Sequence, residues 1–67
     1  MKFGKILKEL RAEKGISQMD LAKATGLSQS AIAKWELNKT EPTASALITL
    51  SLFFNETTDF LLGLTEI

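Results

Sequence analysis

Glycine or asparagine recurs at positions 15, 26, 38, 55 and 63 of this 67-residue chain. After four of these, a hydroxyl residue follows within a few positions: Ser17, Ser28, Thr43 and Thr57. Glycine and asparagine tolerate the left-handed backbone that ends a helix. A serine or threonine oxygen accepts the exposed amides that begin one. The chain is therefore punctuated by stops and starts, and only short helices fit between them. The longest apolar-rich run, ALITLSLFF at 46–54, is too short to cross a bilayer.

Each segment has a legible inner face. Phe3, Ile6, Leu7 and Leu10 fall at i, i+3, i+4 and i+7, with Lys5, Lys8, Glu9 and Glu13 between them. This predicts an amphipathic first helix. Gly15 ends it, with Lys14 beside the negative end of its dipole. Ser17 opens the second helix, and Asp20 can reach back to it as a short capping box. Leu21, Ala22 and Thr25 give that helix its inner face, and Gly26 stops it. Ser28 opens the third, with Ala31, Ile32 and Trp35 inward, Gln29, Ser30, Ala33, Lys34 and Leu37 elsewhere, and Asn38 as its end. From Thr43 to Phe54 two patterns compete. Ile48, Leu50, Leu52 and Phe54 alternate like a strand, whereas Leu47, Leu50, Phe53 and Phe54 fit a helical stripe. The threonine cap, the length and the stop at Asn55 favour helix. Thr57 caps a last short helix over 59–62, closed by Gly63. The expected fold is all-α, a compact bundle of five short helices in one domain spanning 1–67.

Composition narrows the function. Hydrophobic residues make up 45% of the chain, enough for one small core. There is no histidine and no cysteine, so the commonest catalytic base, thiolate metal sites and disulfides are all missing. Lack of cysteine suits a reducing cytosol. The start, MKFGKILKEL, breaks its apolar residues with charge and is not expected to be a secretory signal. Asp20 reads as a cap; Glu56 and Asp59 read as residues favoured near a helix start. No nucleophile stands near a base and no glycine-rich phosphate loop occurs, so neither an enzyme nor a cofactor or metal is expected. The formal net charge is zero, but it is unevenly spread. Residues 1–39 hold all eight basic residues and four acidic ones, +8 − 4 = +4; residues 40–67 hold four acidic residues and no base, −4. Field and partner choice follow that distribution rather than the total.

The second and third helices are joined by a very short turn around Gly26 and Leu27. A connection that short, containing glycine, sets two helices at a steep angle in a helix-turn-helix. Ala22 permits the close crossing, and Ile32 and Trp35 follow ten and thirteen residues later as packing positions. Helical spacing turns Trp35 inward with Ile32, which favours a core role over stacking on a base.

The stretch SQMDLAKATGLSQSAIAKWELNKTEPTASALITLSLFF resembles the phage repressor and Cro type of helix-turn-helix, the xenobiotic-response-element family. The marks are Gln18, Leu21, Ala22, Gly26, Ser28, Ile32, Trp35-Glu36, Asn38-Lys39 and Pro42, within a match from Phe3 to about Gly63. The resemblance implies a lambda-repressor-like fold and a cytoplasmic bacterial or phage-encoded regulator of transcription. It implies a third helix in the major groove of double-stranded DNA, and homodimers on a pseudo-palindromic operator with recognition helices about 34 Å apart. Carried over by residue, Gln29, Ser30, Ala33 and Lys34 face base edges. Gln18, Ser28, Asn38, Lys39 and Thr40 face phosphates. Arg11 and Glu36 form a structural ion pair in place of two solvated charges. A dimer surface is expected on Phe60, Leu61, Leu64 and Ile67.

Four residues depart from the family pattern. Thr25 replaces a larger aliphatic, and Glu56 an apolar residue. Leu52 is apolar at a usually polar place. Glu41 lies near the expected phosphate path. Lys2, Lys5 and Lys8 read equally as a phosphate-facing row or as a solvated face. A rival function stands beside the repressor reading. In it the chain is an antitoxin-like protein-interaction module whose DNA binding is autoregulatory, with a partner on the apolar surplus of Ile48, Leu52, Phe60, Leu61, Leu64 and Ile67. A third reading makes it one domain of a longer regulator.

Overall fold

The computed structural model describes residues 1–65. Among them the chain forms five helices: α1 (Phe3–Lys14), α2 (Gln18–Thr25), α3 (Gln29–Glu36), α4 (Ala44–Phe54) and α5 (Thr58–Leu61). The punctuation works as its chemistry dictates. The hydroxyls of Ser17, Ser28, Thr43 and Thr57 accept the amides of Asp20, Ala31, Ala46 and Phe60 at 2.9–3.1 Å. Ser17 and Asp20 complete a capping box, with the Ser17 amide donating to Asp20 Oδ2 at 3.0 Å. Asn38 and Asn55 take the left-handed conformation at φ 58° and 55°, where a β-carbon is tolerated only in short polar side chains.

The competing patterns in the fourth segment resolve to helix. Thr43 starts it, Ala46, Leu50 and Phe54 face inward at i, i+4 and i+8, and Asn55 stops it. The last helix begins one residue earlier than the expected 59–62 and ends one earlier, with Leu62 as its C-cap.

One cluster of ten buried residues forms the core, with contributions from all five helices. Phe3, Leu7, Leu21, Ile32, Leu50 and Leu61 are its largest fully enclosed side chains. Trp35 belongs to it, meeting the Phe3 ring edge-on with centroids 5.9 Å apart. Thr25 is only half-buried. Its hydroxyl donates to the Leu21 carbonyl at 2.7 Å and accepts the Leu27 amide at 3.2 Å. The polar substitution thus staples the α2–α3 turn. Among the described residues, no helix is long and apolar enough to cross a membrane.

Candidate nucleic-acid interface

The recognition geometry begins with how α3 is held. Ile32 is fully buried and Trp35 nearly so, which fixes the rotation of the helix about its axis. On the opposite side Gln29, Ser30 and Lys34 are exposed and Ala33 is half-buried. The four residues expected at base edges therefore share the outward face. Leu37 continues that face one turn on and is 65% exposed. It was absent from the expected contact set, although its position seven residues after Ser30 marks it.

The C-terminal end of α3 is closed by a tight turn. The Lys39 amide donates to the Lys34 carbonyl at 2.8 Å and the Asn38 amide to that of Trp35 at 3.0 Å. This leaves Asn38, Lys39 and Thr40 exposed beside the helix end. With Met1 and Glu41 they line a shallow cleft. The Glu41 carboxylate thus borders the very residues expected to meet phosphate.

Gly4 explains how close α1 comes. A β-carbon there would stand 2.3 Å from the Trp35 carbonyl oxygen and 2.9 Å from Asn38 Oδ1. Only glycine allows α1 to lie against the end of α3 at this distance. Nothing in the local sequence signals this, because a glycine inside an amphipathic helix otherwise reads as a weak point.

Arg11 and Glu36 meet as a fork. Arg11 Nε donates to Glu36 Oε2 at 2.8 Å and Nη2 to Oε1 at 3.0 Å. Nη1 donates to the Ile16 carbonyl at 2.8 Å. The side chains are only 16% and 5% exposed. Burial by itself pushes the Glu36 carboxyl up. The hydrogen bonds from Arg11 and then Gln18 outweigh it and hold the carboxyl below its ordinary value. Arg11 is raised, chiefly by the same bond to Glu36. Its guanidinium is thereby committed within the protein.

Gln18 sits differently from the simple phosphate contact expected of it. Its Nε2 donates to Glu36 Oε1 at 3.0 Å, so the amide braces α2 against the end of α3. One of its two N–H groups remains for another acceptor. Ser28 is similarly shared: its oxygen accepts the Ala31 amide, and its own proton is left to donate.

Of the residues expected at a dimer surface, the structure turns one inward. Leu61 is fully buried in the chain's own core, and α5 packs it there, so it has no surface to offer a partner. Phe60 is half-buried against the same core. Leu64 is 70% exposed, and Ile67 lies outside the described residues. Among the described residues the other large exposed hydrophobics are Ile48 and Leu52 on α4, Leu37, Met1 and Met19.

Comparison with known proteins agrees with this geometry. A family model described as helix-turn-helix matches residues 7–61. A prophage-derived HTH-type transcriptional regulator of Bacillus subtilis, YonR, is 40% identical over 60 residues, covering 90% of this chain and 56% of its own length. The HTH-type transcriptional activator BcrR of Enterococcus faecalis is 39% identical, and the HTH-type regulator ImmR of Bacillus subtilis 33%. Each matches the whole of this chain, which covers 33% and 53% of them respectively. The chain thus spans a third to just over half the length of these relatives. With α2 and α3 set around Gly26, a family model matching residues 7–61 and regulators matching 90–100% of the chain, the chain belongs to the helix-turn-helix family of the xenobiotic-response-element type.

Proposed function

We propose that this chain is the DNA-binding part of a sequence-specific transcriptional regulator. It acts as a homodimer on a pseudo-palindromic operator and most simply represses by occupying it. The observation that carries this reading is the division of α3. Its packing residues Ile32 and Trp35 are buried, while Gln29, Ser30 and Lys34 stand exposed on the opposite side with Ala33 among them. Those four groups suit a major groove. Gln29 can pair bidentately with adenine, Lys34 can reach guanine, and the Ala33 methyl can touch that of thymine. Lys39, Thr40, Asn38, Ser28 and Gln18 surround them with donors for phosphates, which position the helix without reading sequence. The basic part of the chain, +4 over residues 1–39, supplies attraction for a polyanion that a net charge of zero conceals.

The exposed aliphatics of α4 favour a second reading, in which a different protein occupies the chain and DNA binding regulates its own expression. Selection of bound DNA from a random library, repeated at two salt concentrations, tests the DNA-reading function that both readings share. A regulator returns a two-fold related sequence, with affinity falling steeply as salt rises. A selection that enriches no sequence at low salt sinks the DNA-reading function.

A further inference from the structure

Leu37 belongs neither to the buried core nor to the half-buried hydrophobics packed against it. It is the C-cap of α3, and its amide donates to the Ala33 carbonyl at 3.1 Å. The helical repeat therefore still holds at this position. Two residues after the buried Trp35, Leu37 points roughly 160° away from it around the helix axis. Gln29, Ala33 and Leu37, spaced by four, form one ridge along the outward side, with Ser30 and Lys34 beside it. The turn that follows is fixed by the bond from the Lys39 amide to the Lys34 carbonyl. A lone exposed leucine on a protein surface needs no explanation. This one stands in the middle of a face otherwise made of an amide, a hydroxyl, a methyl and a cation.

We propose that Leu37 is a specificity-determining contact that packs against the 5-methyl group of a thymine. This rests on the DNA-reading function proposed above and adds a residue to it. A leucine side chain has neither donor nor acceptor, so it bonds neither a phosphate nor the polar atoms of a base edge. Among the groups that base pairs present in the major groove, the thymine methyl is the apolar one. Packing leucine on that methyl removes apolar surface of both from water. The surroundings disfavour a protein partner at this place. Gln29, Ser30, Lys34, Asn38 and Lys39 are exposed along the helix and just after it, and one side chain is far smaller than the apolar patches that mark protein interfaces. Eight residues of helix put Leu37 about 12 Å beyond Gln29. Its thymine therefore lies within about four base pairs of the pair that Gln29 reads.

Base analogues isolate the methyl. In the DNA selected above, each thymine of one half-site is replaced in turn by deoxyuridine, which pairs alike and lacks only the methyl. At one position within that range, the native chain is expected to lose affinity about threefold to tenfold, the effect of one methyl-sized group buried. Leu37→Ala is expected to show a similar loss on the thymine-containing DNA and to lose nothing more when uracil stands at that position. Uracil at the other positions should affect both proteins alike. With cytosine at the coupled position, its 5-methylation should tighten native binding by a similar factor and leave Leu37→Ala unmoved. The thermal midpoint of Leu37→Ala should match the native one, because the side chain lies outside the core. Equal uracil effects on both proteins at every thymine overturn the methyl contact and leave DNA reading standing. A Leu37→Ala protein that weakens every sequence alike makes the leucine a backbone contact and overturns it too. A selection that enriches no sequence overturns DNA reading and this contact together.

Discussion

The two sides of α3 contrast sharply. The inner side is fixed by Ile32, Trp35 and Glu36, each buried or bonded to another helix. The outer side presents Gln29, Ser30 and Lys34 to solvent with nothing to hold them. The same eight-residue helix is thus over-determined on one side and unspent on the other. The contrast teaches where stability and recognition separate. Inner residues set the aim of the helix, and outer residues are free to change without disturbing the fold. Substitutions on the inner side should move folding and DNA affinity together. Those on the outer side should move affinity alone.

The largest effect is expected from Trp35→Ala. Removing a buried tryptophan that meets Phe3 edge-on costs about 3–5 kcal/mol. Small domains start from the low end of protein stability, roughly 5 kcal/mol, so the variant should be largely unfolded at room temperature. Urea titration followed by circular dichroism reads this. A well-folded Trp35→Ala protein with weakened DNA binding would instead place Trp35 in the groove and break the contrast.

Next comes the fork of Arg11 and Glu36. Arg11→Met leaves the part-buried Glu36 carboxylate with Gln18 but without its cation, at roughly 1–3 kcal/mol of stability, less than for a fully buried pair. The pH dependence has a definite sign. The folded Glu36 carboxyl lies below its unfolded value. The stability it contributes is complete above the unfolded carboxyl value of about 4.3 and is lost as pH falls through the lower folded value. Asp20, lowered by its bonds with Ser17, acts in the same direction. Glu36→Gln separates them: its unfolding free energy should fall less steeply below pH 4 than that of the native chain. Identical acid slopes would show that the Glu36 carboxyl is not what the folded state holds ionised.

The outer side should respond more mildly and in two distinct ways. Gln29→Ala should cost about 1–3 kcal/mol of binding and relax preference at one base pair. Lys39→Ala should weaken all sequences alike and reduce the salt slope by about one. Neither should alter the thermal midpoint. A shared pattern for the two would erase the distinction between reading and positioning residues.

Much of this contrast is legible in the sequence. Ile32 and Trp35 announce their burial by spacing, and the serine, threonine, glycine and asparagine punctuation locates every helix to within a residue or so. Local rules reach that far because caps and stripes act over one or two turns. They do not reach contacts made across the fold. Gly4 gives no sign in its own helix that the end of α3 lies against it. The bond from Gln18 to Glu36 joins residues 18 apart, and no periodicity connects them. Leu61 was expected at a surface because its neighbours Phe60 and Leu64 are apolar too. Which of the three faces inward depends on how α5 meets the rest of the bundle, and the structure turns Leu61 in. Arg11 and Glu36 were legible only through family likeness, for charge type alone does not distinguish a buried fork from two solvated side chains.

The smallest expected effect comes from the boundary between the two sides. Asn38 has a backbone at φ 58° and a side chain expected at a phosphate, so it combines a folding role with a binding one. Glycine takes that backbone with no β-carbon strain and differs from asparagine at a helix end by a few tenths of a kcal/mol. Asn38→Gly should therefore leave the thermal midpoint almost unmoved. If the side chain meets a phosphate, affinity should nonetheless fall by about threefold to tenfold for every sequence, in keeping with a net hydrogen bond of roughly 0.5–1.5 kcal/mol. Asn38→Ala keeps the strain and loses the amide, so it should lower both quantities. An Asn38→Gly protein that binds DNA like the native chain would assign the asparagine wholly to the turn, and leave Lys39 and Thr40 as the phosphate-facing residues at the end of α3.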